Sequence, residues 1–148
     1  MTNSSKSNLN SEGFNQKSYS VFIHHRDKIR AVDYFDFSSK SSFKEAIGLP
    51  HSFNIKIDDT LQIDSVDALI EHINTREIDK IINSSNVFDL NFLAYIYGFY
   101  LLQAATGPFI LSQVPINRVF EAFESRRSIE GYVQSFSYYF THNFNTFV

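Results

Sequence analysis

The chain has 148 residues, with 13 Lys and Arg against 16 Asp and Glu, 16 Phe, 8 Tyr, no Trp and no Cys. That length fits one ordinary domain, and 43% hydrophobic residues is too many for a wholly disordered chain. The absence of Cys excludes disulfide frameworks, thiolate zinc sites and cysteine nucleophiles, and five scattered Gly leave no glycine-rich phosphate cradle.

Charge is unevenly placed. Residues 1–57 carry eight basic and five acidic groups, net +3. Residues 58–89 carry eight acidic groups against Arg76 and Lys80, net −6, and residues 90–148 carry three of each. A net charge of −3 with no basic patch argues against general nucleic-acid binding, so no nucleic-acid partner is expected. No apolar run follows the early lysine, so no signal peptide is expected and the expected compartment is the cytoplasm. The uncharged stretch from Leu90 to Asn117 is broken by Asn91, Gln103, Gly107, Pro108 and Pro115. A membrane span needs about 20 predominantly apolar residues. This stretch is expected instead as a buried helix, with no membrane partner.

Residues 1–17 are polar and hold little to offset ordering entropy, so they are expected as a disordered tail. Residues 18–148 are expected as a single α+β domain. Tyr19, Val21 and Ile23 alternate, and 19–25 with 29–37 predict a hairpin turned at Arg26-Asp27-Lys28. Ser41 or Ser42 is expected to cap a short helix ending at Gly48, before Pro50. Phe53, Ile55 and Ile57 alternate with Asn54, Lys56 and Asp58, the clearest strand pattern, followed by a turn at Asp59-Thr60 and a brief strand at 61–63.

Asp64 or Ser65 is then expected to cap a helix whose core stripe is Val66, Leu69, Ile70 and Ile73. Thr75 is expected to cap a further turn or two carrying Ile78, Ile81 and Ile82, before a loop at 83–86. Residues 87–106 predict one helix that is apolar nearly all round, stopped by Gly107-Pro108. Pro115 opens another, with a stripe of Ile116, Val119, Phe120 and Phe123, weak at 125–128 and resumed by Tyr132, Val133, Phe136 and Phe140. The expected fold class is α+β: a small antiparallel sheet, made of the N-terminal hairpin and a strand near 53–58, packed against aromatic-rich C-terminal helices.

No catalytic motif assembles. His24 and His25 are neighbours on a strand and should face opposite ways. A metal-independent nuclease or phosphodiesterase would need one of them to meet His51 and a cation such as Arg26 or Arg30. Glu71-His72 lacks the second His of a zinc helix, and the Asp58-Asp59 region lacks the Gly and Glu of a calcium loop. No metal and no cofactor is expected. Arg118 with Glu121, and Glu124 with Arg127, predict a balanced solvated face that includes Arg126. Tyr138, Tyr139, Phe140, Phe144 and Phe147 lack interleaved bases, and read as core or as a homo-oligomer contact.

What remains is the acidic middle. Asp64, Asp67 and Glu71 share one helix face with no lysine at i+4 to neutralise them, and Asp58 and Asp59 precede it. These five residues are the expected partner-binding surface. Small size, an acidic middle and no catalytic motif are also the character of inhibitors and immunity proteins of nuclease toxins, which the chain resembles in general terms. The expectation is therefore a non-catalytic binding module that blocks a basic partner such as a nuclease toxin. A structural or regulatory subunit of an oligomer is the other non-enzymatic reading.

Overall fold

The computed structural model describes residues 19–43 and 52–147. Strand β1 runs Ser20–His25, β2 Lys28–Asp33 and β3 Phe53–Lys56. The helices are α1 Tyr34–Lys40, α2 Ile63–Thr75, α3 Val87–Tyr97, α4 Tyr100–Gln113, α5 Ile116–Arg126 and α6 Tyr132–Phe147, with a 3-10 turn at Asp79–Ile81. The architecture is α+β, as the order of strand and helix patterns predicts. The expected tail at 1–17, the short helix toward Gly48 and His51 lie outside the described residues.

Alternation places the strand faces correctly. Val32, Val21 and Phe53 form one cross-strand row and Arg30, Ile23 and Ile55 the next, all on the face that carries the core. Sheet order is β2-β1-β3, and the hairpin is antiparallel. The third strand departs from expectation: β3 runs parallel to β1, so the sheet is mixed rather than antiparallel. Its direction is set by the connection. Asp33 ends β2 beside Ser20, and Phe53 starts β3 beside Val21, so the intervening chain crosses from one side of β1 to the other at a single end. Side-chain alternation carries no information about that crossing.

The second hairpin strand stops at Asp33, four residues short of expectation. The Asp33 carboxylate accepts from Phe35 N at 2.8 Å and Asp36 N at 3.0 Å, an N-cap that turns Tyr34–Lys40 into helix. Phe37 on that helix is thereby buried against Phe53 and Phe99 in edge-to-face contacts at 5.8 and 5.2 Å. The brief strand expected at 61–63 is instead the entry to α2, whose N-cap is Gln62 rather than Asp64 or Ser65. Ser65 is fully buried, and its hydroxyl donates to the Asn86 carbonyl at 2.9 Å. Val66, Leu69, Ile70 and Ile73 are buried as predicted.

The long helix expected over 87–106 breaks at Gly98. That residue has φ +69°, where L side chains are strained, and a Cβ there would come within 2.0 Å of Ser42 Oγ. Helix α4 then continues through Gly107-Pro108, the expected stop. Just before that dipeptide, Asn91 Nδ2 donates to Thr106 Oγ1 at 2.8 Å and ties α4 to α3. Packing between these two helices thus overrides a local helix breaker that costs about 3 kcal/mol. Replacing Gly98 by Ala should lower stability by about 1–2 kcal/mol, read as a fall in the urea midpoint.

Helix α5 buries Val119 but leaves Ile116 46% and Phe120 48% exposed, and Val133 on α6 is 46% exposed. The predicted core stripe is wider than the contact α5 makes, chiefly with α6. Phe123 turns inward and meets the Phe136 ring at 4.2 Å. Tyr132 and Tyr139 are buried and Tyr138 is 41% exposed. The side chains of Phe140, Phe144 and Phe147 lie outside the described residues.

Candidate partner-binding surface

The five carboxylates singled out by sequence occupy one continuous stretch of chain, the turn after β3 and the outer side of α2. Asp58 and Asp59 make the turn. Asp58 Oδ1 accepts from the Thr60 amide at 2.9 Å and from the Thr60 hydroxyl, and these two bonds hold the carboxyl below its ordinary range, so it is ionised at neutral pH. Asp59 Oδ1 accepts from the Arg26 amide at 2.8 Å. The Arg26 guanidinium returns the contact, with Nε donating to the Asp59 carbonyl at 2.9 Å and a second nitrogen to the Leu61 carbonyl at 3.0 Å. These bonds offset the left-handed conformation of Arg26, φ 57°. The hairpin turn is thereby fastened to the turn that carries the acids.

On α2, Asp64 accepts from the Ser85 hydroxyl at 2.7 Å. Asp67 pairs with Arg30. The β register explains that partner: Arg30 sits in the row of Ile23 and Ile55, at the sheet edge on the face against which α2 packs. Sequence spacing along the helix shows no neutralising base, because the base comes from a strand. The pair is half exposed, with side-chain accessibilities of 37% and 50%, so it adds little stability but halves the charge on that turn of helix. Glu71, four residues on, is exposed, and its carboxylate has no partner among the described residues. Of the eight acidic residues between 58 and 89, only Asp89 is buried.

Among the described residues, His24 and His25 do not come together. His25 is buried and its Nε2 donates to the Leu61 carbonyl at 3.1 Å, whereas His24 points to the opposite face and donates to Asn54 Oδ1 at 2.7 Å. Both observations follow from strand alternation. His72 is fully buried, on the inner side of α2. Among the described residues, no three His, Asp or Glu side chains form a group able to hold a metal ion. No helix of the described residues is long and apolar enough to cross a membrane.

Two features were not legible. Arg126, expected on a solvated face, turns inward to the buried Asp89, which also accepts from the Gln62 amide at 2.9 Å. Its neighbour Arg127 stays outside with Glu124 at 3.6 Å, as predicted. A charged residue, Asp89, inside the apolar run 87–94 was the available signal for a buried partner. The second feature is a groove of about 580 Å³ between the end of β3, α3 and the α5–α6 connection. Three separate stretches of chain build it, so no local pattern announces it.

Compared with known proteins, the chain matches no family model, and no curated protein is similar enough to it to be called a relative.

Proposed function

We propose that the protein is a non-catalytic binding module whose acidic surface engages a basic protein partner. The supporting observation is the exposure of Asp58, Asp59, Asp67 and Glu71, with Asp64 half-buried, on one turn and one helix. Carboxylates retained at that spacing repel one another, by a few tenths of a kcal/mol per pair, unless a partner's charge offsets them. Arg30 removes much of the charge of Asp67, so the attraction is carried by Asp58, Asp64 and Glu71. At physiological salt the screening length is about 8 Å, and charges spread over two helix turns act together at that range. Their field would speed encounter with a cationic surface and orient it before contact. A nuclease toxin, whose active site must attract phosphates, is the proposed partner class, and occlusion of that site the proposed mode of inhibition.

The test uses a photo-crosslinker at exposed Asn74, on the acidic side of α2, and a control at exposed Thr141. In the native cell, Asn74 should capture a basic protein that Thr141 does not. The reversal Asp64→Lys, Asp67→Lys, Glu71→Lys should slow association with the captured protein about tenfold at low salt and abolish inhibition of any nuclease activity it has. Equal capture at both positions, or an unchanged association rate after reversal, would refute the reading.

A further inference from the structure

The groove at the end of β3 adjoins the acidic turn. Its floor is Leu61, Phe92 and Leu93, all buried, and its walls are the half-buried Ile96, Tyr97 and Ile129. Gly131 closes one end at φ +88°, and a Cβ there would meet Ile96 Cδ1 at 2.9 Å, so the chain passes close against this wall. Two exposed carboxylates line the groove: Asp58, on the turn after β3, and Glu130, on the α5–α6 connection. Lys56 also lines it, on the same outward row as Asn54 and Asp58, so the mouth holds two carboxylates against one ammonium, and the interior is apolar and aromatic.

We infer that this groove receives an arginine side chain, flanked by apolar residues, from the basic partner. The inference rests on the proposed function and names the anchoring contact within it. An arginine fits both halves of the site. Its methylene stem covers apolar surface while its charged head stays at the rim, and a guanidinium can bond a carboxylate through two parallel N–H groups. Tyr97 also lines the groove, and an aromatic ring attracts a cation that reaches its face. A glutamate at the same place would bring a third negative charge to the mouth. A purely apolar side chain would leave Asp58 and Glu130 partly desolvated without a partner. Asp58 already belongs to the acidic turn, so a partner steered to that turn arrives at the groove.

The experiment uses the full-length ¹⁵N-labelled protein and two capped peptides, Gly-Leu-Arg-Phe-Gly and Gly-Leu-Glu-Phe-Gly. The arginine peptide should give saturable NMR shift changes at Ile96, Tyr97, Ile129 and Gly131, and the glutamate peptide should bind about fivefold more weakly or not at all. Glu130→Gln, and separately Asp58→Asn, should each weaken the arginine peptide severalfold. Because Asp58 also orders its turn, the exposed Glu130 is the cleaner variant. The α2 reversal at Asp64, Asp67 and Glu71 should leave this short peptide's affinity within about twofold. Shift changes confined to α2 would overturn the groove assignment and leave the acidic-surface reading standing. Equal binding of the two peptides, or no effect of Glu130→Gln, would overturn the charge argument for the groove. Loss of inhibition on α2 reversal, with peptide binding intact, would support both.

Discussion

Replacing Arg126 by Met should destabilise the protein by about 3–5 kcal/mol, a large share of the 5–15 kcal/mol that holds an ordinary domain folded. The reason lies with Asp89 rather than with Arg126. Asp89 is 2% exposed, in the first turn of α3. Both its oxygens are in use: Oδ1 accepts from Arg126 Nε, and Oδ2 accepts from the Gln62 amide at 2.9 Å and from an outer Arg126 nitrogen at 3.3 Å. Removing the guanidinium leaves a buried carboxylate with the Gln62 backbone amide, the Tyr132 hydroxyl and a helix N-terminus to stabilise it, and no counter-charge. The same cluster joins three parts of the chain, since Gln62 precedes α2, Asp89 lies on α3 and Arg126 ends α5. Burial and the neighbouring carboxylate also push the Tyr132 hydroxyl well above its ordinary range, so it stays neutral and adds no second charge. Urea unfolding measures the loss. The double variant Arg126→Met, Asp89→Asn should recover part of it, because an amide still accepts from Gln62 but carries no charge. A single variant within about 1 kcal/mol of wild type would show that Asp89 does not depend on its partner.

That cluster marks the limit of what the sequence carries. Period-two alternation identified the inner faces at Val21, Ile23, Phe53, Ile55 and Ile57, because facing is a local property of a strand. Strand direction is not local, and β3 turned out parallel to β1. Gly107-Pro108 is a stronger local helix stop than Gly98, yet the break falls at Gly98, where Ser42 packs against the backbone. The five surface carboxylates were legible because a helix periodicity and two adjacent turn acids suffice to bring them together. Their neutralisation was not. Arg30 reaches Asp67 across 37 residues of sequence. Arg126 and Asp89 are separated by the same span, and each alone has an ordinary local reading: a charged helix end and a first-turn acid.

Stability should also fall as the pH drops below about 6.5, with His72 the cause. This residue is fully buried, against the Phe99 ring at 6.0 Å. Its Nδ1 lies 2.9 Å from the Glu77 carbonyl, which only accepts, so the neutral ring carries its proton on Nδ1. A second proton must go to Nε2, a buried atom with no hydrogen-bond partner. Desolvation is the main force holding the folded pKa below its ordinary value, and the Glu77 contact opposes it in part. Lys40, which ends α1, and Arg76, which follows α2, add repulsion. In the unfolded chain the ring protonates at its usual value. Between the two values the unfolded state holds more protons, so stability is lost as the pH falls through that window and levels off once the folded ring protonates. The slope approaches about 1.4 kcal/mol per pH unit. His72→Asn keeps a donor toward the Glu77 carbonyl and cannot titrate. Acid unfolding of the other groups is common to both proteins, so the difference between their urea midpoints across pH 5–7.5 isolates His72. The wild type should lose ground to the variant as the pH falls. Parallel profiles would mean that the imidazole takes up its proton without leaving the folded state, and that the core at Phe99 admits water.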